Sequence, residues 1–278
     1  MIQDTLDRRL SCLGSSDVID AMRHALSGGK RLRGFLVIES AALFDVPEAR
    51  ALQVAAAIEA LHAYSLVHDD LPCMDDDDLR RGQPTVHTKW DEATAVLAGD
   101  ALQTLAFALL ADPMTHSDGG VRSELVATLA KAAGAQGMVL GQAQDIAAET
   151  AGRTLSLDEI TELQANKTGA LIRWSAEAGA ILGGADPDPM RRYAAALGLA
   201  FQIADDILDV EGDEETAGKR LQKDAGMGKA TFVSLLGLAG ARARAAQLVA
   251  EAEEALAPYG DAAGSLREAA RFVISRDR

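Results

Sequence analysis

Two short runs of carboxylates are the residues of this chain best suited to chemistry. One is HDDLPCMDDDD at 68–78 and the other ADDILD at 204–209, about half the chain apart. On a helix, Asp205 and Asp209 project from nearly the same face, one above the other. Like charges that close are destabilising unless something neutralises them. Their flanks (Phe201, Ile203, Ala204, Ile207, Leu208) are apolar, so part of this helix is buried. Carboxylates on a half-buried face favour a hard divalent cation with oxygen ligands; the plainer reading of one such run is a solvated acidic helix end. In the first run Asp69 and Asp75 would sit on different faces of an undistorted helix. Pro72 lies between them and disrupts the hydrogen-bond ladder, so a bulge or helix end there would bring Asp75 back beside Asp69. The run does not fit an EF-hand, which needs a Gly at the middle and a Glu at the end of its loop.

Basic groups stand in separate blocks. GGKRLR at 28–33 sets three cations beside two glycines; glycine lets the backbone approach an anion, and Lys with Arg binds phosphate. It is not a Walker A loop. Arg80–Arg81 follows directly on the Asp run, and Lys167–Thr168, Lys219 and Lys229 lie further on. A lone mid-helix Lys such as Lys167 is ordinarily a snorkelling surface residue. Two acidic clusters with basic groups nearby point to a metal-bridged phosphate. Carboxylates alone repel a diphosphate, and Mg²⁺ between them makes the arrangement attractive. An absolute metal requirement is therefore expected. No Ser–His–Asp or Cys–His grouping suggests a side-chain nucleophile.

The elements that must position these groups read as helices. Ala and Leu recur, β-branched runs are scarce, and no long period-two alternation suggests a sheet. Helical periodicity appears near 3–12, 17–44, 48–70, 91–111, 119–149, 156–183, 188–211, 229–257 and 261–275. Asp17 is placed to cap the second block, Ser156 with Glu159 reads as a capping box, and Gly183–Gly184 marks a break. The polar stretches 71–89 and 211–228 each follow an Asp-rich helix end and read as active-site loops. The net charge of −15 argues against nucleic acid and anionic membrane surfaces. Cys12 and Cys73 make neither a metal knuckle nor a disulfide scaffold. The N-terminus lacks an apolar leader and no apolar run approaches a membrane span, so a cytoplasmic protein without stable membrane insertion is expected.

In order and spacing, GGKRLR, HDDLPCMDDDDLRRG, NKTGAL, FQIADDILD and GKRLQKDAGMGKATF resemble the trans-prenyl diphosphate synthase (polyprenyl synthetase) family, and most closely its bacterial farnesyl diphosphate synthase group. The likeness runs from about Ala25 to the C-terminal RFVISRDR. It implies an all-α, single-domain bundle over 1–278 around a central cavity, and a homodimer. It implies that Asp69 and Asp75 ligate two Mg²⁺ ions holding an allylic diphosphate, with Asp70 in support. Asp205 would ligate a third Mg²⁺, aided by Asp209. Arg80, Lys167, Lys219 and Lys229 resemble the cations completing that clamp, while Lys30, Arg33, His62 and Arg81 resemble the isopentenyl diphosphate site. Thr168 and Gln202 match residues near the developing carbocation.

The implied reaction is ionisation, condensation and elimination, with electrostatic stabilisation of the departing pyrophosphate. Tyr64, about 7 Å below Asp69 along the helix, would floor the apolar pocket and favour the fifteen-carbon product, whereas Ser65 leaves room for longer ones. The sequence departs from the family pattern at Gly34, where Pro is usual, and at RLQK after Lys219. Other readings are a geranylgeranyl or geranyl diphosphate synthase, a class I terpene cyclase, which lacks a GGKRLR site and a second Asp motif, a non-catalytic synthase subunit, and a helical metal-binding protein without chemistry.

Overall fold

The computed structural model describes residues 1–150, 152–211 and 230–275; Lys219 and Lys229 lie outside them. The protein is all-α. Its helices are α1 (Ile2–Ser11), α2 (Asp17–Ala25), α3 (Leu32–Ala42), α4 (Glu48–Asp69), α5 (Val86–Lys89), α6 (Glu92–Ala111), α7 (Gly119–Ala133), α8 (Met138–Thr150), α9 (Leu157–Gln164), α10 (Ala170–Gly183) and α11 (Asp188–Glu211). Two more follow, α12 (Phe232–Ala255) and α13 (Gly264–Ser275).

Several periodic blocks are divided where the backbone demands it. The block 17–44 breaks into α2 and α3 because Gly28 and Gly29 take φ of 69° and 84° and Arg31 takes 53°, a region closed to a continuing helix. The cap of α2 is Ser16 rather than Asp17: Ile19 N–H donates to the Ser16 hydroxyl. Block 119–149 divides at Gly134, whose N–H closes onto Ala130 O. Block 156–183 opens with the expected Ser156–Glu159 capping box, then passes through one π-helical turn, Ala165–Gly169, before α10. Such turns insert a residue into the ladder and gather at functional sites.

The one ladder among the described residues pairs β1 (Leu79–Arg80) with β2 (Gln83–Pro84). Its two-residue loop is Arg81–Gly82, both at positive φ, the geometry of a tight hairpin turn. Hydrophobic periodicity has no purchase on an element this short.

The core forms two clusters. One packs α1, α2 and α4 with α6 and α7, the other α11 with α12 and α13. Helices α3 and α10 feed both: Val37 and Trp174 face the first, Leu36 and Ile172 the second. At Gly179 an added Cβ would lie 2.3 Å from Ala41 N, so α10 and α3 touch backbone to backbone. Trp174 donates to Thr128 Oγ1 at 3.0 Å and Tyr193 to Leu266 O at 2.8 Å, so both buried rings satisfy their polar atoms. Helix α6 departs from one expectation: an 18-residue window of it is apolar enough, by length and composition, to cross a membrane, with a mean hydropathy of 1.6. Ala95, Ala98, Gly99, Leu102 and Ala106 bury one face of it, while Val96 and Leu97 are exposed.

Candidate active site

Helix α4 ends at Asp69, and the chain then folds back on itself. Met74 and Asp76 N–H close onto Leu71 O, Asp77 N–H onto Asp70 O, and Asp75 N–H donates to Asp69 O at 2.9 Å. Pro72 has no N–H to extend the helix. The two Asp that an unbroken helix would separate are thus set side by side. Burial raises the Asp69 carboxyl from 3.8 to about 6; Lys167 and Arg80 pull it down, and Asp75 and Asp70 push it up. Asp70 is buried and serves the loop: Arg80 Nε donates to its Oδ1 at 2.6 Å, and Arg80 also reaches Asp77. Burial outweighs this pairing, so the Asp70 carboxyl is also raised.

Helix α8 brings two residues that the sequence did not single out. Gln142 donates to Asp69 Oδ1 at 2.5 Å, and Asp145 Oδ2 accepts Lys167 Nζ at 2.5 Å. One helical turn apart, they share a face, the only signal that GQAQD offered. Lys167 lies in the π-helical turn, and the next residue turns the other way. Thr168 Oγ1 donates to Gln202 Oε1 at 3.5 Å, and Gln202 Nε2 donates to Asp206 Oδ1 at 3.3 Å. The turn therefore stands between the two acidic motifs, with Lys167 at Asp69 and Thr168 at the helix that carries Asp205 and Asp209, both half-buried. Asp206 is buried and accepts Phe232 N–H at 2.7 Å. It closes the start of α12 onto α11, a structural duty.

The cationic loop is built around a buried acid. Glu59 on α4 accepts Gly34 N–H at 2.8 Å and pairs with Arg31 at 3.2 Å. Arg31 further donates to Gln3 Oε1 and Leu26 O, so the middle cation of GGKRLR staples the loop. Lys30 is exposed. The Nε of Arg33 is buried with no hydrogen-bond partner, a donor that an incoming anion would satisfy. Arg81 lies flat on the loop, its Cζ 2.7 Å from where a Gly29 Cβ would be. At Gly34 the N–H bonded to Glu59 is one that a Pro would lack.

His62 sits in this arginine ring. Burial first, then Arg33, Arg81, Arg80 and Arg31, holds its pKa well below 6.5, so the ring is neutral at pH 7. The folded state then binds fewer protons than the unfolded chain just below pH 6.5, and stability falls as pH drops through that window. Denaturant titrations at pH 7.5 and 5.5 are expected to show wild type losing more stability than His62→Gln. Equal losses would remove the assignment.

The carboxylates suit a hard cation. Among the described residues no three His, Cys, Asp or Glu side chains form a ready cluster. Mg²⁺ ordinarily takes one or two carboxylates and completes its shell from water and substrate phosphates. Asp69, raised to about 6 by burial beside Asp75, is a carboxylate in want of positive charge.

A model of the family described as polyprenyl synthetase matches residues 16–261. Farnesyl diphosphate synthase of Escherichia coli (strain K12) is 45% identical over 276 residues, covering 95% of this chain and 91% of its own. An FPP/GFPP synthase from Zymomonas mobilis aligns in structure with a TM-score of 0.89 at 48% identity, over 98% of this chain and 96% of that one. A geranyltransferase from Helicobacter pylori, complexed with magnesium and isoprenyl diphosphate, gives 0.80 at 34% identity, over 98% and 95%.

Proposed function

The chain belongs to the polyprenyl synthetase family, and from that premise we propose the following reaction and division of labour. The chain is a prenyltransferase that makes a short-chain prenyl diphosphate. It joins isopentenyl diphosphate to dimethylallyl or geranyl diphosphate, and farnesyl diphosphate is the main product. The carrying observation is the π-helical turn, which puts Lys167 beside Asp69 and Thr168 beside the Asp205 helix.

Mg²⁺, three ions in this reading, supplies when bound the positive charge that draws an anionic substrate to Asp69, Asp75 and Asp205. Lys167 and Arg80, with Lys219 and Lys229 from outside the described residues, hold the allylic diphosphate. Lys30, Arg33, neutral His62 and Arg81 hold the isopentenyl diphosphate. When the allylic C–O bond breaks, both electrons leave with pyrophosphate, and the cations facing it take up that charge. The isopentenyl double bond attacks the allylic cation and forms the new C–C bond. A proton then leaves the resulting cation for a pyrophosphate oxygen and restores a double bond. Thr168 and Gln202, held to each other and to Asp206, present oxygen dipoles toward the cation without offering it a strong nucleophile.

Incubation with Mg²⁺, isopentenyl diphosphate and geranyl diphosphate, then chromatography of the dephosphorylated products, tests the reading. Farnesol is the expected main product, geranylgeraniol the competing one. Cyclic hydrocarbons formed without isopentenyl diphosphate would indicate a cyclase.

Tyr64 sets the length. It is buried, edge-on to the His68 ring at 5.6 Å, and Gln103 of α6 hydrogen-bonds its hydroxyl. A ring fixed at both ends is a firm floor. Tyr64→Ala is expected to move most product from fifteen carbons to twenty or more. An unchanged product profile would show that the floor lies elsewhere.

The span 1–278 acts as one domain in this reading, in the cytoplasm and without stable membrane insertion. A second copy of the chain covers the exposed Val96 and Leu97 of α6, which makes a homodimer.

A further inference from the structure

His24, on the last turn of α2, lies outside every group assigned above, yet it ties two of their supports together. Its Nε2 is 2.8 Å from Pro84 O on β2. Its Nδ1 is 3.3 Å from Lys89 Nζ, and its ring meets Trp90 edge-on at 5.5 Å. The ammonium of Lys89, itself 4.8 Å over the Trp90 ring, only donates. Nδ1 must therefore accept, and Nε2 must carry the proton that it donates to Pro84 O. Two partners thus fix one neutral tautomer of the ring.

The contact matters because of what the hairpin carries. Arg81 occupies the hairpin turn at a φ of 54°, a conformation that a non-glycine residue holds only under constraint. The end of α2 and the loop just after it hold that hairpin at two points, its second strand and its turn. His24 holds Pro84 O, and Ser27 O accepts Arg81 Nη1 at 3.2 Å. The Ser27 hydroxyl in turn donates to His24 O at 2.7 Å.

We propose that His24 is a positioning residue for isopentenyl diphosphate: it latches the hairpin to α2 and so aims Arg81 at that substrate's diphosphate. The proposal rests on the reading that Arg81 binds there. An imidazole hydrogen bond to an exposed carbonyl, with its Lys partner, is worth about one kcal/mol, or roughly fivefold in affinity.

The test is steady-state kinetics on the full chain with Mg²⁺. His24→Phe keeps the ring against Trp90 and removes both hydrogen bonds. It is expected to raise KM for isopentenyl diphosphate about fivefold and to leave kcat and KM for geranyl diphosphate unchanged. His24→Gln retains an N–H for Pro84 O and should recover most of the affinity. Arg81→Leu should raise the same KM more, by about a hundredfold. The double variant should be no worse than Arg81→Leu alone, because His24 acts through Arg81. Should His24→Phe fold poorly, Lys89→Ala tests the latch without altering the ring and is expected to raise the same KM. An unchanged isopentenyl KM in these variants, or an equal rise in both KM values, overturns the latch. So do additive losses in the double variant. If Arg81→Leu has no effect, the site reading fails and the latch falls with it. A normal His24→Phe beside an impaired Arg81→Leu sinks the latch alone.

Discussion

Asp69→Ala is expected to lower kcat/KM by roughly a thousandfold while raising the thermal midpoint of the metal-free protein. The two effects have one cause. Burial has lifted the Asp69 carboxyl from 3.8 to about 6, so at pH 7.5 the fold holds an ionised group that it would rather keep protonated. An acid with a raised folded pKa destabilises the native state increasingly as pH climbs through and above its unfolded value. Allowing for the partial exposure of the group, the cost is on the order of 2 kcal/mol, which alanine removes. Gln142 loses an acceptor, a smaller penalty because its amide remains within reach of water. Activity goes the other way, since the group that resists burial is the one a cation would satisfy. Asp205→Ala is expected to lose activity on a similar scale. Melting curves in chelator, paired with product assays in Mg²⁺, check both. Retention of most activity by either variant would dismantle the metal assignment. A midpoint that drops sharply for Asp69→Ala would mean that the carboxylate is a structural partner instead.

The chemistry-bearing residues were legible because their spacing carries physical consequences that longer context cannot easily reverse. Pro72 forbids a straight helix, and the loop duly returns Asp75 to Asp69. The apolar flanks of Asp205 and Asp206 implied burial, and Asp206 is buried. Periodicity was blind to interruptions that keep the hydrophobic phase. Gly28 and Gly29 break a block that reads as continuous from 17 to 44, because a short loop can hand one helix to the next without disturbing the apolar count. The π-helical turn at Ala165–Gly169 is invisible for a different reason: one inserted residue rotates the apolar face by about 100°, but a single turn is too short to show a period of its own. Lys167 accordingly reads as a surface lysine, although tertiary structure gives it Asp145.

Roles were harder to read than positions. Asp205, Asp206 and Asp209 look equivalent in a string, yet Asp206 spends its carboxylate on Phe232 N–H and Gln202. Arg31 looks like one of three interchangeable cations, but its bonds to Glu59 and Gln3 make it the staple of the loop. Each distinction turns on at least one partner 25 or more residues away (Phe232 for Asp206, Glu59 and Gln3 for Arg31), to which local spacing is silent. Gln142 and Asp145 were missed because a polar pair on one face of a helix is what any solvated face provides. Lys219 and Lys229, placed by resemblance, lie outside the described residues.

Gly141→Ala is expected to cost about a hundredfold in kcat/KM and about 2 kcal/mol in stability, though it adds a single methyl to a residue that touches no substrate. A Cβ there would lie 2.1 Å from Lys167 N, 2.5 Å from Lys167 Cα and 2.7 Å from Asn166 C. All three are backbone atoms of the π-helical turn, so no side chain can swing aside. Either α8 or the turn must shift by about an ångström, since packed interiors give little. That displacement falls on three bonds at once: Gln142 to Asp69, Lys167 to Asp145 and Asn166 to Gln144. Misplacing reacting groups by an ångström is enough for a hundredfold loss. Gly264→Ala is the matched control, at a helical φ of −52° with nothing within 4 Å of its added Cβ. It is expected to leave activity unchanged and to stabilise slightly, by about half a kcal/mol. If Gly141→Ala kept wild-type kcat/KM, the contact between α8 and the π-helical turn would not be what holds Lys167 and Asp69 in register.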